Sequence, residues 1–180
     1  MKLQHIRIKL QEAAQFTLLH HRHSKPLKRH KFSIGAKDEY GILLGVVTVD
    51  TCSSHEWSKR RDHIEIRRLV TKDISGLPIE TNIKNVASFL LGKAITACFA
   101  LGFKYIVTYT QPGETGSSLK ALGFRIEKIK VQNYTNKTYK GLVTWVLCED
   151  YQKNPDFDYT NDRLKDIKDY IKDYSNAKLI

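Results

Sequence analysis

Cysteine is scarce in this chain: three residues among 180, at Cys52, Cys98 and Cys148. An odd, scattered set excludes a disulfide framework and points to a reducing cytoplasm. No run of about eighteen apolar residues occurs, which argues against a membrane-spanning helix. Charged and apolar residues alternate over residues 1–10, so a secretory signal is not expected either. Internal repeats and low-complexity segments are also missing. Acid is the remaining shortage: 19 Asp or Glu against 30 Lys or Arg leave a net charge of +11. What the chain does have is a 41% hydrophobic content. In a chain of this length that supports one sizeable core and leaves little room for two.

Periodicity divides the sequence into short elements. Ile6, Ile8 and Leu10 alternate as an opening strand, and Ala13, Phe16, Leu19 and His20 predict a short helix from about Leu10, stopped before Pro26. Residues 32–36 and 41–49 read as a hairpin around the polar turn 37–41, and residues 52–62 as irregular polar chain. His63–Thr71 and Tyr105–Thr110 have the β-branched and aromatic content of buried strands. Between them Val86, Phe89, Leu90, Ala94, Ala97, Cys98 and Leu101 recur at helical spacing, with Gly102 placed to end the helix. Strand, helix and strand make one right-handed βαβ crossover, and the helix N-terminus turns backbone N–H groups toward a phosphate site.

A short helix over residues 119–122 ends at Gly123. Residues 124–132 and 140–148 then alternate as a closing hairpin, with Val143 and Trp145 toward the core. Beyond Asp150 the composition changes: Leu164, Ile167, Tyr170 or Ile171, and Tyr174 fall at helical spacing among alternating Asp and Lys. The expected organisation is one domain over residues 1–150. An amphipathic helical tail over 151–180 docks on that domain or on a second subunit, the latter giving a homodimer.

The stretch from His63 to Phe124 resembles the cofactor-binding half of the GCN5-related N-acetyltransferases (GNAT). The resemblance sits on the IEIRRL strand, on a helix closing at Ala100, Leu101, Gly102 and Phe103, and on a second Leu122, Gly123, Phe124. It implies an α/β GNAT fold: a single mixed, mostly antiparallel twisted sheet flanked by helices. It also implies acetyl-CoA or another acyl-CoA as cofactor, and transfer of the acyl group to an amine. The HHRH run followed by KFSIG is similar to small phage and bacterial GNAT-like proteins, among which the Mom type modifies adenine in DNA. For a phage-encoded chain the compartment would be the host cytoplasm.

Two positions depart from the family pattern. Its phosphate loop is glycine-rich, whereas this chain offers Asn82, Ile83, Lys84, Asn85, Val86, Ala87 and Ser88. Ala87 and Ser88 are small enough for close approach, Asn tolerates left-handed geometry, and Lys84 supplies charge. The resemblance therefore assigns the acyl-CoA to Lys84, Asn85, Val86, Ala87 and Ser88, with the main chain of Leu69, Val70 and Thr71. The second departure is Leu119, at a position where the family often places a tyrosine acid.

Charge is concentrated at the start. Residues 1–31 hold eight Lys or Arg against the single acid Glu12, a net of +7, and five of the seven histidines. Such a segment is an electrostatic footprint for phosphate, with a solvated surface run as the plain alternative. Arg22, Lys25, Lys28, Arg29 and His30 are the expected contacts to nucleic acid or substrate, and no membrane partner is expected. His21 and His23, one residue apart, are candidate proton carriers, since histidine changes charge near neutrality. Their spacing to His30, Cys52 and His55 fits no recognised zinc pattern, so no metal is assigned.

Acyl transfer from a thioester needs a deprotonated amine, a donor to the oxyanion and a proton for the thiolate. Glu65, on the strand that lines the cleft in the family, is the candidate base, with an ion pair to Arg67 or Arg68 as its structural alternative. Tyr109 and Ser117 remain as candidate acids, against roles in packing and in helix capping. The expected function is acyl-CoA-dependent N-acyl transfer to an amine, preferably of a nucleobase or nucleic acid. A protein amine, or a catalytically degenerate scaffold binding nucleic acid or protein, is the alternative.

Overall fold

The computed structural model describes residues 2–20, 27–72, 85–111, 114–130 and 141–149. Their elements run β1 (Gln4–Arg7), α1 (Leu10–His20), β2 (Phe32–Lys37), β3 (Leu43–Asp50), α2 (His55–Ser58), β4 (His63–Thr71), α3 (Val86–Ala100), β5 (Tyr105–Thr110), α4 (Ser117–Ala121), β6 (Arg125–Lys130) and β7 (Leu142–Cys148). The strands form a mixed seven-stranded sheet in the order β1-β2-β3-β4-β5-β7-β6. The β1–β2, β2–β3, β3–β4 and β6–β7 pairs are antiparallel, and β4 pairs with β5 in parallel, as a βαβ unit requires. The proposed tail over 151–180 lies outside the described residues.

The chain divides into two compact units, Met1–Val107 and Thr108–Ile180. In the first, successive β3 residues point to opposite faces. Val46 joins Ile8, Ala13, Phe16 and Val70 in a cluster that seats α1. Its neighbour Gly45 faces α3: a Cβ there would meet Leu90 Cδ1 and Val86 Cγ1 at 2.9 Å and the Val70 carbonyl at 3.0 Å. Helices therefore cover both faces of this part of the sheet. Lys9 N–H donates to Glu12 Oε2 at 2.9 Å, half of a capping box that opens α1.

Two expectations need correction, and a third is refined. Leu19, one of the residues whose spacing predicts α1, lies within the helix but is 69% exposed; the buried stripe runs through Ala13, Phe16 and Thr17, whose hydroxyl donates to the Ala13 carbonyl at 2.8 Å. The opening strand stops at Arg7, Ile8 turns into the core, and Leu10 already belongs to α1. Residues 52–62 are not wholly irregular, because His55–Ser58 forms a single helical turn with Trp57 buried.

The Leu-Gly-Phe sequence occurs twice and has one geometry. At the end of α3, Phe103 N–H donates to the Cys98 carbonyl and Gly102 N–H to that of Phe99; at the end of α4, Phe124 donates to Leu119 and Gly123 to Lys120. Both are Schellman closures, and both glycines sit at φ +87°. In the second unit β6 and β7 form the expected hairpin, and buried Trp145 donates from Nε1 to Thr110 Oγ1 at 2.9 Å.

Candidate active site

Strand β4 changes geometry half-way along. Val49 faces Ile66 but Thr48 faces Arg68, so Arg67 is an extra residue, a β-bulge. On the other edge His63, Ile64 and Glu65 face Tyr105, Ile106 and Val107; the register ends there, while β4 runs on to Thr71. Residues opposite each other across a ladder share a face. Glu65, Arg68 and Val70 therefore lie with Asp50, Thr48 and Val46 on the α1 side, and Ile66 and Leu69 lie with Val49 and Val47 on the α3 side. The Val70 side chain belongs to the core, so only its main chain is offered to a ligand.

Glu65 is buried, and each of its carboxylate oxygens has a partner. Its Oε2 accepts from Ser53 N–H at 2.6 Å and from the Ser53 hydroxyl at 2.8 Å, and its Oε1 is 3.1 Å from Arg67 Nε. Burial pushes its carboxyl above the usual carboxylate range, while Ser53, Arg67 and Arg68 pull the other way. Arg68 is itself lowered, chiefly by burial, and its Nη1 donates to the Arg67 carbonyl at 2.6 Å. Cys52 stands nearby with its thiol pushed up to about 12, first by burial and then by the Glu65 charge, which removes it as a nucleophile.

Asn85 opens α3 at φ 76°, the one non-glycine residue with positive φ among the described residues. Its carbonyl accepts the first helical bond, from Phe89 N–H at 2.8 Å, and its side chain caps nothing. The N–H groups of Val86, Ala87 and Ser88 are thus those that a helix leaves without an intrahelical acceptor. Val86 is buried against Gly45, whereas Ala87 and Ser88 are half-exposed and small. This end of α3 fits a pyrophosphate without a glycine, since Asn85 adopts the left-handed turn itself. The opposite end of α3, about 22 Å away at 1.5 Å per residue, borders a separate open groove lined by Lys31, Phe32, Ala97, Ala100, Leu101 and Phe103.

Of the basic arm, His21, Arg22, His23 and Lys25 lie outside the described residues, as does Lys84. Lys28 is exposed. Arg29 is held on the end of β3, Nε 3.2 Å from Asp50 Oδ2 and Nη2 donating to Thr51 Oγ1 at 3.4 Å. His30 is half-buried with Nδ1 2.7 Å from Ser33 Oγ. The structure thus brings Arg29, His30 and Glu65 to the α1 face of β2–β4. In the second unit the Tyr109 hydroxyl oxygen is buried. Ser117 is the first residue of α4 rather than its cap, which is Gly116, and its hydroxyl lies 2.6 Å from Thr115 Oγ1. Leu119 is buried and apolar. Ser53, Asp50, Ser33 and Thr48 were not singled out from sequence; only the register of β2, β3 and β4 assembles them.

No protein-family model and no curated protein sequence matches the chain. Solved structures do. The chain is similar to an IAA acetyltransferase from Bacillus cereus (16% identity, 82% of this chain and 99% of that one, TM-score 0.61). It is similar to a Bacillus subtilis acetyltransferase solved in complex with CoA (18%, 82% and 99%, TM-score 0.59). It is also similar to the spermidine/spermine N-acetyltransferase of Vibrio cholerae (14%, 86% and 99%, TM-score 0.60). At these identities the likeness establishes the GNAT fold. Among the described residues no helix is long and apolar enough to cross a membrane.

Proposed function

We propose that the chain is an acyl-CoA-dependent N-acyltransferase whose preferred acceptor is an amine of a nucleobase or nucleic acid. The observation that carries the reading is the bulged β4, continuing past its ladder with β5, beside an α3 that opens with small residues and a left-handed Asn85. The CoA bound to one protein of like fold supports it.

When bound, acetyl-CoA supplies a thioester-activated acyl group. Lys84 and residues 85–88 hold its pyrophosphate, and main-chain N–H groups at Leu69–Thr71, beyond the bulge, suit a developing oxyanion. Glu65 presents the carboxylate that draws the amine into place on the α1 face and lowers the cost of its deprotonation. Tyr109 and Ser117 are the proton donors proposed from the second unit. The net +7 of residues 1–31 supports a nucleic-acid acceptor, with Arg22, Lys25, Lys28 and Arg29 on phosphates and His21 and His23 as proton carriers. A cytoplasmic site of action, the host's for a phage protein, goes with this reading.

Calorimetry tests the cofactor: wild type binds acetyl-CoA with micromolar affinity, and Ala87→Glu, which sets an acid at the α3 N-terminus, loses it. Absence of binding to wild type would sink the reading. Mass spectrometry of nucleoside and protein digests after expression then separates a nucleobase from a protein amine as acceptor. The apolar Leu119 favours a second reading, a degenerate scaffold that binds nucleic acid or protein. On that reading Glu65→Gln and Tyr109→Phe leave biological activity intact.

A further inference from the structure

Resting on that acyltransferase reading, but in place of Tyr109 and Ser117 as its proton donors, we propose that His30, Ser33 and Thr48 form a proton-delivery row that ends at the β4 bulge and protonates the departing thiolate. His30 Nδ1 lies 2.7 Å from Ser33 Oγ, and the Ser33 hydroxyl donates to Thr48 Oγ1 at 3.1 Å. A serine hydroxyl has one proton. Having given it to Thr48, Ser33 accepts from His30, whose Nδ1 is then the protonated nitrogen. The row is polarised inward from the imidazole and leaves the Thr48 proton to be donated onward.

The placement fits delivery. Ser33 faces Thr48 across β2 and β3, and Thr48 faces Arg68 across β3 and β4, next to the bulged Arg67. Ser33 and Thr48 are 1% and 3% exposed, while His30 is half-buried, so the row joins the interior to an imidazole that reaches the surface. Two residues along the same face of β3, Val46 fills an apolar cluster, and buried polar groups cost free energy unless they are paired. The charged groups around the row are Arg29 and Lys31 on either side of His30, Asp50 two residues along β3 and paired with Arg29, and Glu65 and Arg68 on β4. Glu65 has its oxygens held by Ser53 and Arg67.

In the step, the acceptor amine would form its bond to the acyl carbon and lose a proton to water as the thioester C–S bond breaks with its electron pair on sulfur. The Thr48 hydroxyl gives its proton to that sulfur, Ser33 gives its own to Thr48, and the His30 imidazolium gives its Nδ1 proton to Ser33. A neutral thiol and a neutral imidazole remain, and water returns a proton to His30.

The test follows thiol release from acetyl-CoA, beside acetyl-CoA affinity by calorimetry and the His30 ring ¹⁵N signals by NMR. His30→Gln and Thr48→Val lower kcat on the order of 100-fold, the usual range for a general acid. Thr48→Ser restores it, and acetyl-CoA affinity is unchanged in all three. Ser33→Ala shifts the His30 Nδ1 signal without any ligand. Retention of rate in His30→Gln, or an unmoved Nδ1 signal in Ser33→Ala, overturns the row while leaving the acyltransferase reading in place. Failure of wild type to bind acetyl-CoA overturns both.

Discussion

Asp50 and Glu65 face each other across β3 and β4, two buried carboxylates in one register pair, each held by an arginine. Like charges directly opposite repel, so the pair persists because Arg29 and Arg67 neutralise it and Ser53 donates twice to Glu65. Removing one partner of a buried ion pair strands the other charge. Arg67→Met should therefore destabilise the fold by about 3 kcal/mol, read from urea unfolding at neutral pH. In a Glu65→Gln background the same substitution should cost far less, and equal costs in the two backgrounds would refute the coupling.

Glu65 also gives the fold a pH dependence of definite sign. Burial raises its carboxyl above the ordinary value of 4.5, so in the window above 4.5 the folded chain holds a proton that the unfolded chain has lost. Stability then falls as pH rises through that window. Glu65→Gln, which cannot ionise, removes this contribution. Unfolding free energies of wild type and variant, compared at pH 4.5 and pH 7, should show wild type losing ground to the variant at the higher pH. A difference independent of pH would mean that Ser53 and Arg67 cancel the effect of burial.

Strand β4 and both Leu-Gly-Phe closures were legible in the sequence, because a run of nine strand-forming residues and a glycine after a helical period are local signals. The bulge at Arg67 was not, since it exists only relative to β3. Ser53 on Glu65, twelve residues away in the chain, and Thr48 beneath Arg68 are equally products of register. Helix α2 escaped because four residues with one apolar anchor, Trp57, carry no periodicity. The left-handed Asn85 was half legible: its type allowed the conformation, and the turn into α3 selects it.

Gly45 couples the core to the proposed pyrophosphate site. A Cβ at this position meets Val86 and Leu90 side chains at 2.9 Å and a backbone oxygen at 3.0 Å, so α3 has to move away from the sheet. Gly45→Val should cost roughly 1–3 kcal/mol by overpacking. It should also weaken acetyl-CoA binding in calorimetry, because Val86 is the first residue of the helix. Unchanged stability would show that α3 does not press on β3 in solution.

Gly102 isolates backbone strain from crowding. Its φ is +87° and nothing lies within 4 Å of a Cβ built there, so Gly102→Ala adds left-handed strain alone. The expected loss is about 1–2 kcal/mol in chemical denaturation. Gly123 has the same φ with Leu147 Cδ1 at 3.6 Å, an ordinary contact, so Gly123→Ala should cost a similar amount. A large gap between the two would mean that the closures differ in solution.

The cysteines offer a probe of folding that leaves the site untouched. Burial pushes the thiols of Cys52 and Cys98 up to about 12, with the Glu65 charge adding to the shift at Cys52. Reactivity follows the thiolate fraction and access, and both thiols are buried. Native protein at pH 8 should therefore resist iodoacetamide at Cys52 and Cys98, as peptide mass spectrometry would reveal, and become labelled at both once urea unfolds it. Glu65→Gln removes the charge beside Cys52 but not its burial, so labelling of Cys52 should rise modestly and that of Cys98 should stay as it was. Rapid labelling of native Cys52 would mean that the segment around Ser53 opens in solution, and the anchoring of Glu65 would fall with it.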